Sequence, residues 1–150
     1  MADLRFDDDV AFRLMDDAAT VARIVRTAGD RGLAAARFGD WNGLQLLGHV
    51  TLMGEVFMQR VARCIEEDEP AIQAVDDGAL TESDAMDLSK RLLASHQRIV
   101  AMLQQDTAAR ERVGIHSERG RVTAGWLAGY CAKHSHEHVS ELAERFAPAA

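Results

Sequence analysis

The sequence predicts an all-α fold, a four-helix bundle, on three observations. It holds only two prolines, Pro70 and Pro148, and the rest is rich in Ala, Leu, Met, Arg and Glu, residues that lose little on entering a helix. Apolar residues recur at three- or four-residue steps in four separate segments. At 150 residues, 47% hydrophobic and 27% charged, the chain has the size and balance of one globular domain, residues 1–150. A chain of that length buries about two thirds of the surface its unfolded form exposes, and four amphipathic stripes are most simply covered by facing one another.

The first helix is expected from Phe6 to about Ala28, with Val10, Leu14, Ala18, Val21 and Val25 on its stripe. Asp7, Asp8 and Asp9 suit its positive end, and Gly29-Asp30-Arg31-Gly32 is expected to break it. The second opens at Asn42, three residues before Gln45, a spacing that allows a capping box. It runs through Leu46, Val50, Met53, Phe57, Val61 and Cys64 towards the Pro70 stop. For the third, Thr81 and Asp84 form a capping pair, and the stripe is Met86, Leu88, Leu92, Leu93, His96, Ile99, Val100 and Leu103, ending near Gln105. Residues 106–122, "DTAARERVGIHSERGRV", have no sustained period and two glycines, and read as a long connection. Thr123 then starts the fourth helix, which passes Leu127, Tyr130, Cys131, His134, His138 and Leu142 on the way to Phe146.

A net charge of -7, with basic residues scattered, argues against nucleic acid as a partner. The N-terminus "MADLRFDDDV" is acidic where a signal peptide would be basic, and no apolar run nears the roughly 18 residues that suggest a membrane span. A cytoplasmic protein is expected. Cys64 and Cys131 are too few for a disulfide framework.

Three of the six histidines crowd into "HSHEH", residues 134–138. Positions four apart on a helix share a face, so His134 and His138 fall with Leu127, Cys131 and Leu142 on the inner stripe, whereas His136 points towards solvent unless the helix is distorted. On the second helix His49 lies between Leu46 and Met53 and also turns inward. Imidazoles from facing helices suit Zn, Ni, Fe or Cu, and three of them leave coordination positions open for water or substrate. A single inward histidine is more commonly a hydrogen-bonded core residue, and His96, within the third stripe, is the substitute should His49 not serve. His116 stands in the long connection with no evident partner.

"DWNGLQLLGHVTLMGEVFMQRV", the "EDEP" that ends that helix, and "VTAGWLAGYCAKHSHEHVSEL" together resemble the DinB/YfiT-like superfamily of metal-binding four-helix bundles, over roughly residues 10–146. The resemblance implies a metal triad of His49, His134 and His138, the three that periodicity selects. It also places Trp41 at the helix-entry aromatic, read here as a packing residue, and Glu55 and Arg60 where relatives carry an acid and a base, read here as ordinary surface or inter-helix ion-pair residues. His136 is an addition to the family's pattern.

The resemblance further implies a divalent metal, Ni or Zn first and Fe or Mn next, a low-molecular-weight thiol or water activated against a small electrophile, and a homodimer. Glu141, three residues after His138, is the candidate catalytic residue, to orient an imidazole or abstract a proton. Glu137 reads as a solvated face, and Cys131 as a small core residue before it reads as a soft fourth ligand. Met53, Phe57 and Tyr130 are placed to line a pocket above the metal, and the "EPAIQAVDDGAL" and 106–122 segments to cover its mouth. A non-catalytic, stress-related metal- or ligand-binding bundle is the alternative.

Overall fold

The computed structural model describes residues 4–148, so the first three residues of the acidic N-terminal stretch lie outside the described residues. Its four long helices are α1 (Asp8–Ala35), α2 (Gly43–Glu66), α3 (Ala85–Gln105) and α4 (Ala124–Arg145). None of the described helices is long and apolar enough to cross a membrane.

Side-chain caps set the helix starts. Asp7 accepts from the Val10 N–H at 2.9 Å, with Asp8 and Asp9 in the first turn of α1. Asn42 and Gln45 make both halves of the capping box, at 2.8 and 2.9 Å, and Thr123 accepts from the Trp126 N–H at 2.9 Å. On α3 the expected Thr81–Asp84 pair does not form. Asp84 is itself the cap and accepts from the Asp87 N–H at 2.8 Å, while the Thr81 N–H reaches Gly48 O on α2.

The expected break in α1 is a kink rather than an end. Gly29 leaves helical geometry with φ 64°, a region open to glycine at little cost, and the helix resumes as far as Ala35. Beyond the kink, the Asp30 carboxylate accepts from the Ala85 N–H at 3.0 Å and so fixes the start of α3. The α3 stripe is also narrower than expected. Leu88, Leu92, His96, Ile99 and Leu103 are buried, but Met86 and Leu93 are 50% and 37% exposed, since each lies ~100° or more around the helix from that row.

Each of α1 and α2 packs chiefly against both α3 and α4, which leaves α1 diagonal to α2 and α3 diagonal to α4. Two apolar clusters fill the interior. One gathers Leu14, Phe57, Val61, Ile99, Leu103 and Leu127, and the other Ile24, Leu47, Val50, Leu88, Leu92 and Leu142.

Short strands dress the helix ends. β1 (Arg37–Phe38) and β2 (Trp41–Asn42) pair as a small hairpin before α2. The 106–122 connection is not featureless. It folds as a 3₁₀ turn, Thr107–Glu111, followed by the hairpin of β4 (Val113–His116) and β5 (Gly120–Thr123). β3 (Ala71–Ile72), from the segment after α2, adds to β4 in parallel, Ala71 opposite Ile115 and Ile72 opposite His116. The period-two alternation of β4, with Gly114 and His116 buried and Ile115 exposed, is too short to stand out in the sequence.

Candidate functional site

His49 on α2 meets His134 and His138 on α4, one ring nitrogen of each lying within 4.8 Å of the others. The ring centroids are 4.7 to 5.3 Å apart, and the planes stand at 69°, 77° and 87° to one another, so the rings converge edge to face. His49 is 3% exposed. His134 and His138 are half-buried, because the deepest row of α4 is Leu127, Cys131, Ser135, Val139 and Leu142 and the two imidazoles flank it.

The tautomers follow from the outer nitrogens. His49 Nδ1–H donates to Ala79 O at 2.6 Å, which leaves the Nε2 lone pair facing His134 Nε2 at 3.2 Å. His138 Nδ1 is 3.0 Å from Glu141 Oε1 and is fixed in the same sense. Ala79 comes within reach because Gly48 has no side chain: a Cβ there would overlap Thr81 O. Trp41, half-buried, sits with its ring 4.9 Å from that of His49, the packing role expected of it.

Burial, above all, lowers the pKa of His49; the Ala79 hydrogen bond opposes it and His138 adds to it. His134 is lowered to about 4, first by burial and then by His138 and His49, with Asp77 acting in opposition. Both rings are therefore neutral at pH 7, the form whose nitrogen can bind a cation. Metal–nitrogen bonds of ~2.1 Å set adjacent ligand nitrogens ~3.0 to 3.4 Å apart, so the 3.2 Å separation of His49 and His134 Nε2 and the imidazole donor set fit a divalent ion.

The remaining candidates fall elsewhere. His96 is no substitute for His49: it is fully buried between helices and its Nδ1 donates to Leu14 O at 2.7 Å. His136 does not simply face water, since its Nδ1 lies 3.1 Å from the carboxylate of the buried Asp17 on α1. Cys131 is a core residue, 2% exposed, whose thiol burial pushes up to about 12. Glu137 is exposed, as expected of a solvated face. Glu55 makes the expected inter-helix ion pair, with Arg91 at 2.7 Å. Arg60 makes none among the described residues; it is 8% exposed and donates to Gln73 O at 2.5 Å.

One helical turn from the triad, a cavity of about 110 Å³ opens between α2, α4 and the β3–β5 sheet. Met53, Phe57 and Tyr130 line it, as the stripe positions suggested, together with Arg60, Asp77 and three residues that sequence reading did not place there: His116, Arg119 and Trp126. His116 is buried, and its Nδ1 accepts from the Glu118 and Arg119 N–H groups at 3.0 and 3.2 Å. His116 and Arg119 belong to a charged hairpin that shows no helical period, and Trp126, in the first turn of α4, is not on the stripe read for that helix. Asp77 and Ala79 stood in the "VDDGAL" turn, suspected only as a cover.

A family model of the DinB superfamily matches residues 13–142. Among solved structures, YfiT from Bacillus subtilis, described as "a probable metal-dependent hydrolase with an unusual four-helix bundle topology", matches with a TM-score of 0.77. The identity is 23% over 95% of this chain and 88% of that one, a likeness that carries the fold. No curated protein matches the chain.

Proposed function

Since the chain belongs to the DinB superfamily, we propose that His49, His134 and His138 hold one divalent cation, Ni or Zn first and Fe or Mn next, and that the protein is a metal-dependent enzyme of small electrophiles. The observation that carries this reading is the convergence of three imidazoles, the outer nitrogen of two of them fixed by Ala79 O and Glu141. A bound divalent cation with open positions lowers the pKa of a water or a low-molecular-weight thiol beside it, which makes either a nucleophile at neutral pH.

The chain's own residues do the rest. Ala79 and Gly48 keep His49 aimed at α4, and Glu141 keeps His138 from rotating. Glu141 is an orienting residue in this scheme, because it opens onto a different hollow, with Phe38, Glu144 and Arg145. The proton released by the nucleophile goes to Asp77, an exposed carboxylate on the cavity wall whose charge acts on both His49 and His134. Phe57, Trp126 and Tyr130 give the substrate an apolar wall.

The test is elemental analysis of untagged protein, followed by turnover of a generic electrophile with water and with several thiols, before and after chelation. About one divalent ion per chain and turnover abolished by chelator are the expected results. Metal without any turnover would point to the non-catalytic binding bundle, and protein that takes up no metal would overturn both.

A further inference from the structure

We propose that the cavity beside the triad is a recognition site for a small carboxylate, held by Arg60, Arg119 and His116. The inference rests on the enzymatic reading only for what the carboxylate is attached to.

Arg60 gives the first reason. Arg60 is 8% exposed; its guanidinium lies 5.0 Å over the Phe57 ring and makes one hydrogen bond, to Gln73 O. Among the described residues no carboxylate pairs with it. A cation on the cavity wall that spends one of its five N–H donors has the others free for an anion. Arg119 is likewise without an acidic partner among the described residues, and lies 5.2 Å over both Trp126 and Tyr130. His116 supplies a third donor: a neutral ring whose Nδ1 accepts two backbone N–H bonds carries its proton on Nε2.

Charge and size narrow the class. Asp77 and Glu118 line the same cavity, and their negative charge disfavours a dianionic phosphate more than a monoanion. Guanidinium groups bind a planar carboxylate through two parallel hydrogen bonds. A cavity of about 110 Å³, open on one side, admits that group and a single small ring or short chain. The stacked rings, Phe57 to Tyr130 at 5.5 Å and Tyr130 to Trp126 at 5.3 Å, form an apolar side for the carbons, and Met53 and Tyr130 lie one turn from His49 and His134. A carboxylate seated there leaves the rest of its molecule directed at the triad.

Calorimetric titration of the full chain, as purified and after chelation, tests this with benzoate, neutral benzamide and inorganic phosphate. Saturable 1:1 binding of benzoate that survives chelation is expected, at least about tenfold tighter than benzamide. Arg119→Gln, at an exposed position, should weaken it by about ten- to a hundredfold at unchanged metal content. Arg60→Gln should do the same where circular dichroism shows it folded. Equal binding of benzamide, tighter binding of phosphate, loss of benzoate binding on chelation, or an indifferent Arg119→Gln would each overturn the site. Benzoate binding by protein that takes up no metal would leave this inference standing while the metal reading fails, and the converse result would do the opposite.

Discussion

Two sides of the bundle bury a histidine in nearly the same way. Between α2 and α4, His49 is 3% exposed and donates Nδ1–H to Ala79 O at 2.6 Å; between α3 and α1, His96 is wholly buried and donates Nδ1–H to Leu14 O at 2.7 Å. What differs is the other nitrogen. His49 Nε2 faces two further imidazoles at a half-open edge, whereas His96 Nε2 has no partner among the described residues and is sealed off near Gly54. An anchored, inward imidazole is therefore not itself a site. It becomes one where the neighbouring helix delivers more donors and a path to solvent, and a buried lone pair without either costs about 1 to 3 kcal/mol.

Replacing the two residues should separate these roles most sharply. His49→Ala should reduce bound divalent metal to near zero by elemental analysis, with the fold retained by circular dichroism. His96→Ala should keep its metal but lose roughly 2 to 4 kcal/mol of unfolding free energy in urea, as expected for a large side chain deleted from a packed core. Metal lost from the His96 variant and kept by the His49 variant would reverse the comparison.

Acid should distinguish them next. Burial holds both His96 and His134 to about 4, below the ordinary 6.5, so between those values the unfolded chain binds more protons than the folded one. The stability that depends on neutral imidazole is then complete above pH ~6.5 and is lost as pH falls towards 4, by up to about 1.4 kcal/mol per pH unit for a fully buried group. His134, partly exposed, contributes less. Urea midpoints from pH 7 to 4 should fall more gently in His96→Ala than in the parent chain, and parallel curves would show that His96 is not the group titrating.

Glu141 should have the smallest effect. Removing a carboxylate that orients a ligand histidine costs about tenfold in metal affinity at the lower end of such effects, and Glu141 is exposed. A metal titration of Glu141→Ala that matches the parent would reduce the Glu141 contact with His138 to a surface pair.

Much of the helical frame was legible in the sequence, because its signals are local. Asn42 with Gln45 and Thr123 cap where their spacing predicted, and His49, His134 and His138 could be singled out because a row four residues apart stays on one face. What could not be read depends on distant chain. The Thr81 N–H is drawn to Gly48 O instead of an α3 cap, Asp30 reaches across 55 residues to Ala85, and His136 finds Asp17 on another helix. The cavity's Arg60 and His116 needed the β3–β4 pairing before they could be recognised as neighbours. Nothing in either residue's own surroundings in the chain announces it.

The packing of α2 against α4 has an energetic corollary. His49 and His134 stand 85 positions apart, on helices that become neighbours only once the chain has passed through α3 and the β4–β5 hairpin. No fragment holding a single helical hairpin contains both halves of the centre. A ligand that binds only the assembled arrangement shifts the global folding equilibrium, so its signature is slower amide hydrogen exchange at the most protected positions throughout the molecule, rather than a local quieting around three rings.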